Sequence, residues 1–169
     1  MKRKLAIVMT GIAVAFGSAA VAEMIETHKA FLPQDIKWGS MPPSLPTGAE
    51  AAVLYGDPAK EGMFALRIKA PKGYRIPPHT HPNPEVITII LGKFSLGMGT
   101  KADRANVESL PAGSFSSMPP GVAHYVFVDE DSIVQVNATG PWGIDYVNAK
   151  DDPRLNGAPD PSSELYSSK

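Results

Sequence analysis

Apolar residues between positions 51 and 147 come in short runs broken by glycine and proline, and beyond the first twenty residues none sustains a 3.6-residue period. Eight runs, 51–55, 63–68, 86–91, 94–98, 114–118, 124–128, 133–137 and 144–147, are rich in Val, Ile, Phe and Tyr and have the length of a strand. Their close spacing predicts an all-β sandwich or barrel with little helix. Alternation along a strand assigns side chains to faces. With Glu85 inward, Ile87, Ile89 and Leu91 follow; with His124 inward, Val122, Val126 and Val128 follow.

The flanks break this pattern. Residues 27–47 hold Pro33, Pro42, Pro43 and Pro46 around Trp38, which predicts an extended arm, not a central strand. Residues 151–169 are polar, contain Pro153, Pro159 and Pro161, and predict a loosely ordered tail. At the start, Lys2-Arg3-Lys4 precedes an uncharged apolar stretch from 5 to 16 and small residues ending Ala20-Val21-Ala22. This is the pattern of a secretory signal peptide, residues 1–22, cleaved after Ala22. Its apolar stretch is shorter than the ~20 residues that span a bilayer, so no stable membrane anchor is expected. The expectation is an exported protein, periplasmic or secreted, with a single barrel domain over 23–150.

Charge and cysteine content narrow the chemistry. Taking the three leader cations from 16 basic residues leaves 13 against 17 acidic, a net charge of −4, with no basic stripe for nucleic acid or anionic lipid. The chain has no cysteine, which excludes disulfides, thiolate metal sites and thiol nucleophiles. There is no G-x-S-x-G elbow, and Gly92-Lys93 runs into Phe94 where a P-loop would have Ser or Thr.

The stretch from 73 to 128 carries the candidate chemistry. Gly73 is followed after five residues by His79-Thr80-His81, after three more by Glu85 and after six more by Gly92; Gly113 is followed after five by Pro119-Pro120-Gly121 and after two more by His124. Two histidines two apart on extended chain present both rings to one face. The Pro82-Asn83-Pro84 turn can bring Glu85 back to that face, and Pro119-Pro120-Gly121 can deliver His124 on a later strand. Three imidazoles and one carboxylate suit a borderline divalent metal. His28, standing alone, reads as a surface or core residue, and Trp38 and Trp142 read as packing residues.

This spacing resembles the two signature motifs of the cupin superfamily, G-x5-H-x-H-x3-E-x6-G and G-x5-P-x-G-x2-H-x3-N, with Val128 in place of the final Asn. The resemblance implies a double-stranded β-helix, the jelly-roll barrel of the cupins, holding one divalent transition metal ion (Cu, Zn, Fe, Mn or Ni) on His79, His81, Glu85 and His124. It also implies a small-molecule ligand. Within that superfamily the same site serves dioxygenases, isomerases, lyases and non-catalytic binding domains, so the fold does not fix a reaction. A metal-dependent enzyme on a small organic molecule is the leading expectation, and a non-catalytic metal or small-ligand binder the alternative. Strand parity makes Arg75, Ile87, Met98, Val126, Val128 and Gln135 the pocket candidates beside Tyr74, Asn137, Ser114 and Ser116, although Met98 also reads as packing. Outward Val86 and Ile90, with the Trp38 arm, suggest a homodimer.

Overall fold

The structure is a computed structural model that describes residues 28–155; the expected signal peptide and positions 156–169 of the expected tail lie outside them. The chain divides into two units, 1–31 and 32–169, and the barrel belongs to the second. Among its described residues, eleven strands and two short 3-10 turns, Pro33–Asp35 and Ala149–Asp151, make up the regular structure. The strands are β1 (Gly39–Ser40), β2 (Glu50–Tyr55), β3 (Gly62–Ala70), β4 (Arg75–Thr80), β5 (Glu85–Leu91), β6 (Lys93–Met98), β7 (Glu108–Pro111), β8 (Phe115–Met118), β9 (His124–Val128), β10 (Ser132–Gly140) and β11 (Asp145–Tyr146).

They form two antiparallel sheets, one ordered β1-β2-β3-β10-β5-β8 and the other β11-β4-β9-β6-β7. From β3 onward successive strands cross between the sheets, except for the β6–β7 hairpin, which is the winding of a jelly roll. The inner faces pack on one another through alternate residues: Phe64, Leu66 and Ile68 of β3, Ile87 and Ile89 of β5, Phe94 and Leu96 of β6, Val126 and Val128 of β9, and Val134 and Val136 of β10. Removing these side chains from water is the main force closing the sandwich, at about 1.5–3 kcal/mol for each large one. The sharp reversal from β5 to β6 needs Gly92, whose φ is 77°; a Cβ there would run into the Asp131 carbonyl and Ser132.

All eight predicted runs contain strand, and the structure adds β1, β4 and β7 to them. β4 is hidden by Pro77 and Pro78, which have no N–H to give to a ladder. It pairs with β9 only at Arg75, Ile76 and His79, with a register shift between the last two. Leu91, expected inside, is exposed, because the β5–β10 register shifts between Ile133 and Val134 and breaks the alternation. The arm lies along its own barrel: β1 pairs with β2, Lys69 Nζ sits 5.6 Å from the centre of the Trp38 ring, and Leu45 is buried. The first residues of the expected tail are held as well, since the Arg154 guanidinium donates to Asp152 and to the Ile144 carbonyl.

Candidate metal centre

His79 and His124 face each other across the β4–β9 pair, His81 follows one residue beyond β4, and Glu85 opens β5 in the opposite sheet. The four therefore meet between the sheets at one end of the barrel. One nitrogen from each of the three histidines lies within 4.8 Å of the other two. Their ring centres are 4.2 Å (His79–His124), 5.0 Å (His79–His81) and 5.3 Å (His81–His124) apart. Glu85 Oε2 stands 3.4 Å from His81 Nε2. All four side chains are buried, His79 at 2% exposure and Glu85 at 6%.

The turns between the strands fix this arrangement. Asn83, in the Pro82-Asn83-Pro84 turn, donates to the Thr139 carbonyl at 3.0 Å and fastens the turn to the end of β10. Gly121 N–H donates to the His81 carbonyl at 2.9 Å, which ties the turn before His124 to the other histidine pair.

Each imidazole is aimed by the backbone. Nδ1 of His79 bonds the Pro77 carbonyl at 2.7 Å, that of His81 the Gly143 carbonyl at 2.6 Å, and that of His124 the Val122 carbonyl at 3.0 Å. A carbonyl only accepts, so Nδ1 carries the proton in all three rings and each Nε2 keeps a free lone pair. This is the outer-shell arrangement that orients histidine ligands in metal sites. Glu85 is aimed instead by a side chain, since Trp142 Nε1–H donates to its Oε2 at 3.1 Å. The Trp142 ring also stacks on His81, centres 5.6 Å apart and planes 14° from parallel.

Electrostatics agree with this geometry. Burial, with His124 alongside, lowers His79 to about 3; burial also lowers His81 and His124, against the backbone bonds that favour their charged forms. All three are neutral near pH 7, as ligands must be. Burial pushes Glu85 up to about 7, opposed by His124 and by the Trp142 hydrogen bond. A divalent ion would relieve that burial cost by supplying the missing positive charge. The donor set therefore fits a transition metal on His79, His81 and His124, with Glu85 adjacent as the anionic fourth ligand.

The centre opens on a small cavity, with about 30 Å³ in which the centre of a water molecule can lie, room for about two waters. Ile87 and Val126 line it as the alternation predicts, and so does Tyr74. Val128 is fully buried but packs in the core beside the cavity. Arg75, Met98 and Gln135 lie elsewhere. The β4 register shift between Ile76 and His79 puts Ile76 and His79 on the inner face together and leaves Arg75 exposed. Met98 ends its strand just before a left-handed glycine, Gly99, and is 54% exposed. Gln135 lies between the inward Val134 and Val136, so it faces outward and accepts from Arg67. Asn137, Ser114 and Ser116 also stay off the cavity wall. Trp142, read from sequence as packing, is part of the site; its distance from both motifs hid it. Leu45, from the arm, was missed as well, and so were Ile76 of β4 and the inward residues Ile68, Phe94, Leu96 and Val134 of strands whose facing the sequence left unassigned.

Residues 29–144 match the family described as "Domain of unknown function (DUF4437)". A segment of 83 residues is 32% identical to a germin-like protein of Arabidopsis thaliana, subfamily 2 member 1, covering 48% of this chain and 37% of that protein's length. Among solved structures, the polyketide cyclase RemF of Streptomyces resistomycificus superposes with a TM-score of 0.62 at 18% identity, over 76% of this chain and 91% of its own. An RmlC-like cupin of Shewanella frigidimarina superposes at 0.53 with 17% identity, over 67% and 91%. At such identities the two structures speak for the fold alone. With the jelly-roll winding and the buried histidine triad, these matches lead to one assignment: the chain is a cupin-superfamily protein and belongs to the DUF4437 family.

Proposed function

We propose that the protein binds one divalent transition metal ion through His79, His81, His124 and Glu85 and uses it as an enzyme on a small organic molecule. The observation that carries this is the backbone aiming of all three histidines, which leaves three neutral nitrogens on one buried point. A buried structural histidine also needs an acceptor for its N–H; what sets these three apart is that their remaining nitrogens converge within 4.8 Å of one another. The metal would supply Lewis acidity or redox capacity, and six-coordination would leave two positions for substrate. The chain's own residues bind and orient it, and the apolar cavity keeps bulk water from the centre. A cyclase among the structural neighbours is consistent with an enzyme but fixes no reaction.

A second reading, a non-catalytic metal or small-ligand binder, is favoured by one observation. The cavity is small, and among the described residues its lining holds no free acid or base beyond the four proposed ligands: the Tyr74 hydroxyl is committed to the Pro46 carbonyl at 2.7 Å. Elemental analysis of the purified protein tests the metal. Turnover of the loaded protein on a panel of small organic substrates separates the two readings.

Export after cleavage at Ala22 belongs to the same proposal, because the site would then fill outside the cytoplasm. There its three nitrogens and one oxygen favour copper or zinc over iron or manganese by the Irving–Williams order. A homodimer is also proposed. Large apolar side chains lie exposed on β2, β3, β5 and β8 of one sheet, among them Tyr55, Met63, Ile90 and Phe115.

A further inference from the structure

Building on that metal-centre reading, we propose that the ligand of the centre is an uncharged molecule with an apolar body, polar only at the end that meets the metal, and that Leu45 limits its length. Beyond the metal ligands, the cavity wall consists of aliphatic and aromatic side chains such as Ile68, Ile76, Phe94, Leu96 and Val134. The polar hydrogens of its other two polar residues are committed, Tyr74 to the Pro46 carbonyl and Trp142 to Glu85. Among the described residues, no lysine or arginine lines it. A carboxylate or phosphate on the body of a ligand would lose its water without gaining a counter-charge. Away from the Tyr74 oxygen, which can still accept, a hydroxyl would be left unpaired, at a cost of about tenfold in affinity or more.

The space is too small for such a body as it stands, so part of the wall must move. Most lining residues sit on strands held by ladder bonds, whereas Leu45 comes from the turn after Pro42-Pro43. It is 3% exposed and is held by its own N–H to the Pro42 carbonyl and by two tyrosine hydroxyls on its neighbours: Tyr146 to the Ser44 carbonyl at 2.9 Å and Tyr74 to the Pro46 carbonyl at 2.7 Å. Turning the Leu45 side chain aside, with the backbone of its turn still held by these three bonds, lengthens the cavity without opening either sheet.

The test uses hydroxamic acids, whose metal-binding head is constant while the tail varies, read by the visible spectrum of the full-length protein loaded with Co²⁺. Butanohydroxamic acid should bind at least tenfold tighter than succinic monohydroxamic acid, which has nearly the same shape but ends in a carboxylate. In Leu45→Ala, octanohydroxamic acid should gain at least threefold over butanohydroxamic acid, and in Leu45→Phe it should lose. Equal or tighter binding of the carboxylate-tailed probe, or the same length preference in both variants and the parent, overturns the inference. So does cobalt-loaded protein that binds neither probe. Cobalt stoichiometry is measured first: a protein that takes up no cobalt brings down the metal reading and this inference with it, whereas the other failures leave the metal reading intact.

Discussion

Replacing Trp142 with Phe removes the indole N–H that donates to Glu85 Oε2 at 3.1 Å while keeping a ring against His81 and Phe64. A hydrogen bond to a charged group contributes about 1.5–3 kcal/mol, and here it favours the ionised carboxylate. Burial has already raised Glu85 to about 7, so its loss moves that midpoint upward by about one to two pH units. A metal needs the ionised form. In the parent, affinity should fall about tenfold per pH unit below 7, because binding then displaces one proton. In Trp142→Phe the same fall starts at about 8–9. The variant should therefore bind about 10- to 100-fold more weakly at pH 6, with the difference closing above about pH 9. Competition against a chelator of known affinity at pH 6, 7, 8 and 9 measures this. A ratio within twofold at pH 6, or one that is the same at every pH, would refute the reasoning and leave Trp142 a packing residue.

Chelation of the bound metal should lower the melting temperature by several degrees, and an unchanged melting curve would count against a tightly held ion. Metal-free protein should lose stability as pH falls below 6.5. The folded value of His79 is depressed to about 3, so its contribution, present above its unfolded value, falls by about 2 kcal/mol between pH 6.5 and 5. Glu85, raised to about 7, opposes this as it takes up a proton, but His81 and His124 are lowered too and tip the sum toward loss. Urea midpoints at pH 7.5 and 5 read the sign. Gly97→Ala should cost about 1–3 kcal/mol, since its Cβ would stand 2.1 Å from two ring carbons of Tyr125, itself 1% exposed and bonded through its hydroxyl to Asp103 and Asn106 carbonyls. Light scattering at micromolar concentration should give a dimer; a monomer would remove the exposed sheet face from consideration as an interface.

The convergence of His79, His81, Glu85 and His124 was legible in the sequence because their spacing joins chemistry to geometry: residues two apart on extended chain share a face, and glycine and proline mark the reversals. The strands were legible for the same reason, as β-branched runs between those breaks. What stayed hidden was whatever depends on register. Arg75 and His79 are an even number of residues apart, and only the irregularity at Pro77-Pro78 puts one outside and the other inside. Leu91 left the inner face through a shift on the partner strand, which no reading of its own segment could detect. Trp142 and Leu45 belong to segments with no periodic signal, brought to the centre by the path of the chain over the barrel.

The three imidazoles take their direction from peptide carbonyls of Pro77, Val122 and Gly143, not from side chains. A side-chain acceptor can be deleted by one codon change; a carbonyl is present whatever residue carries it. The orientation of the histidines is therefore robust to substitution at the positions that enforce it, provided the local backbone path survives. Variation in this centre is channelled elsewhere. Among the described residues, Trp142 to Glu85 is the one side-chain hydrogen bond onto the four residues of the candidate centre. It is the natural place to retune the candidate centre, because Trp142→Phe removes it while the backbone bonds of the three rings stay in place.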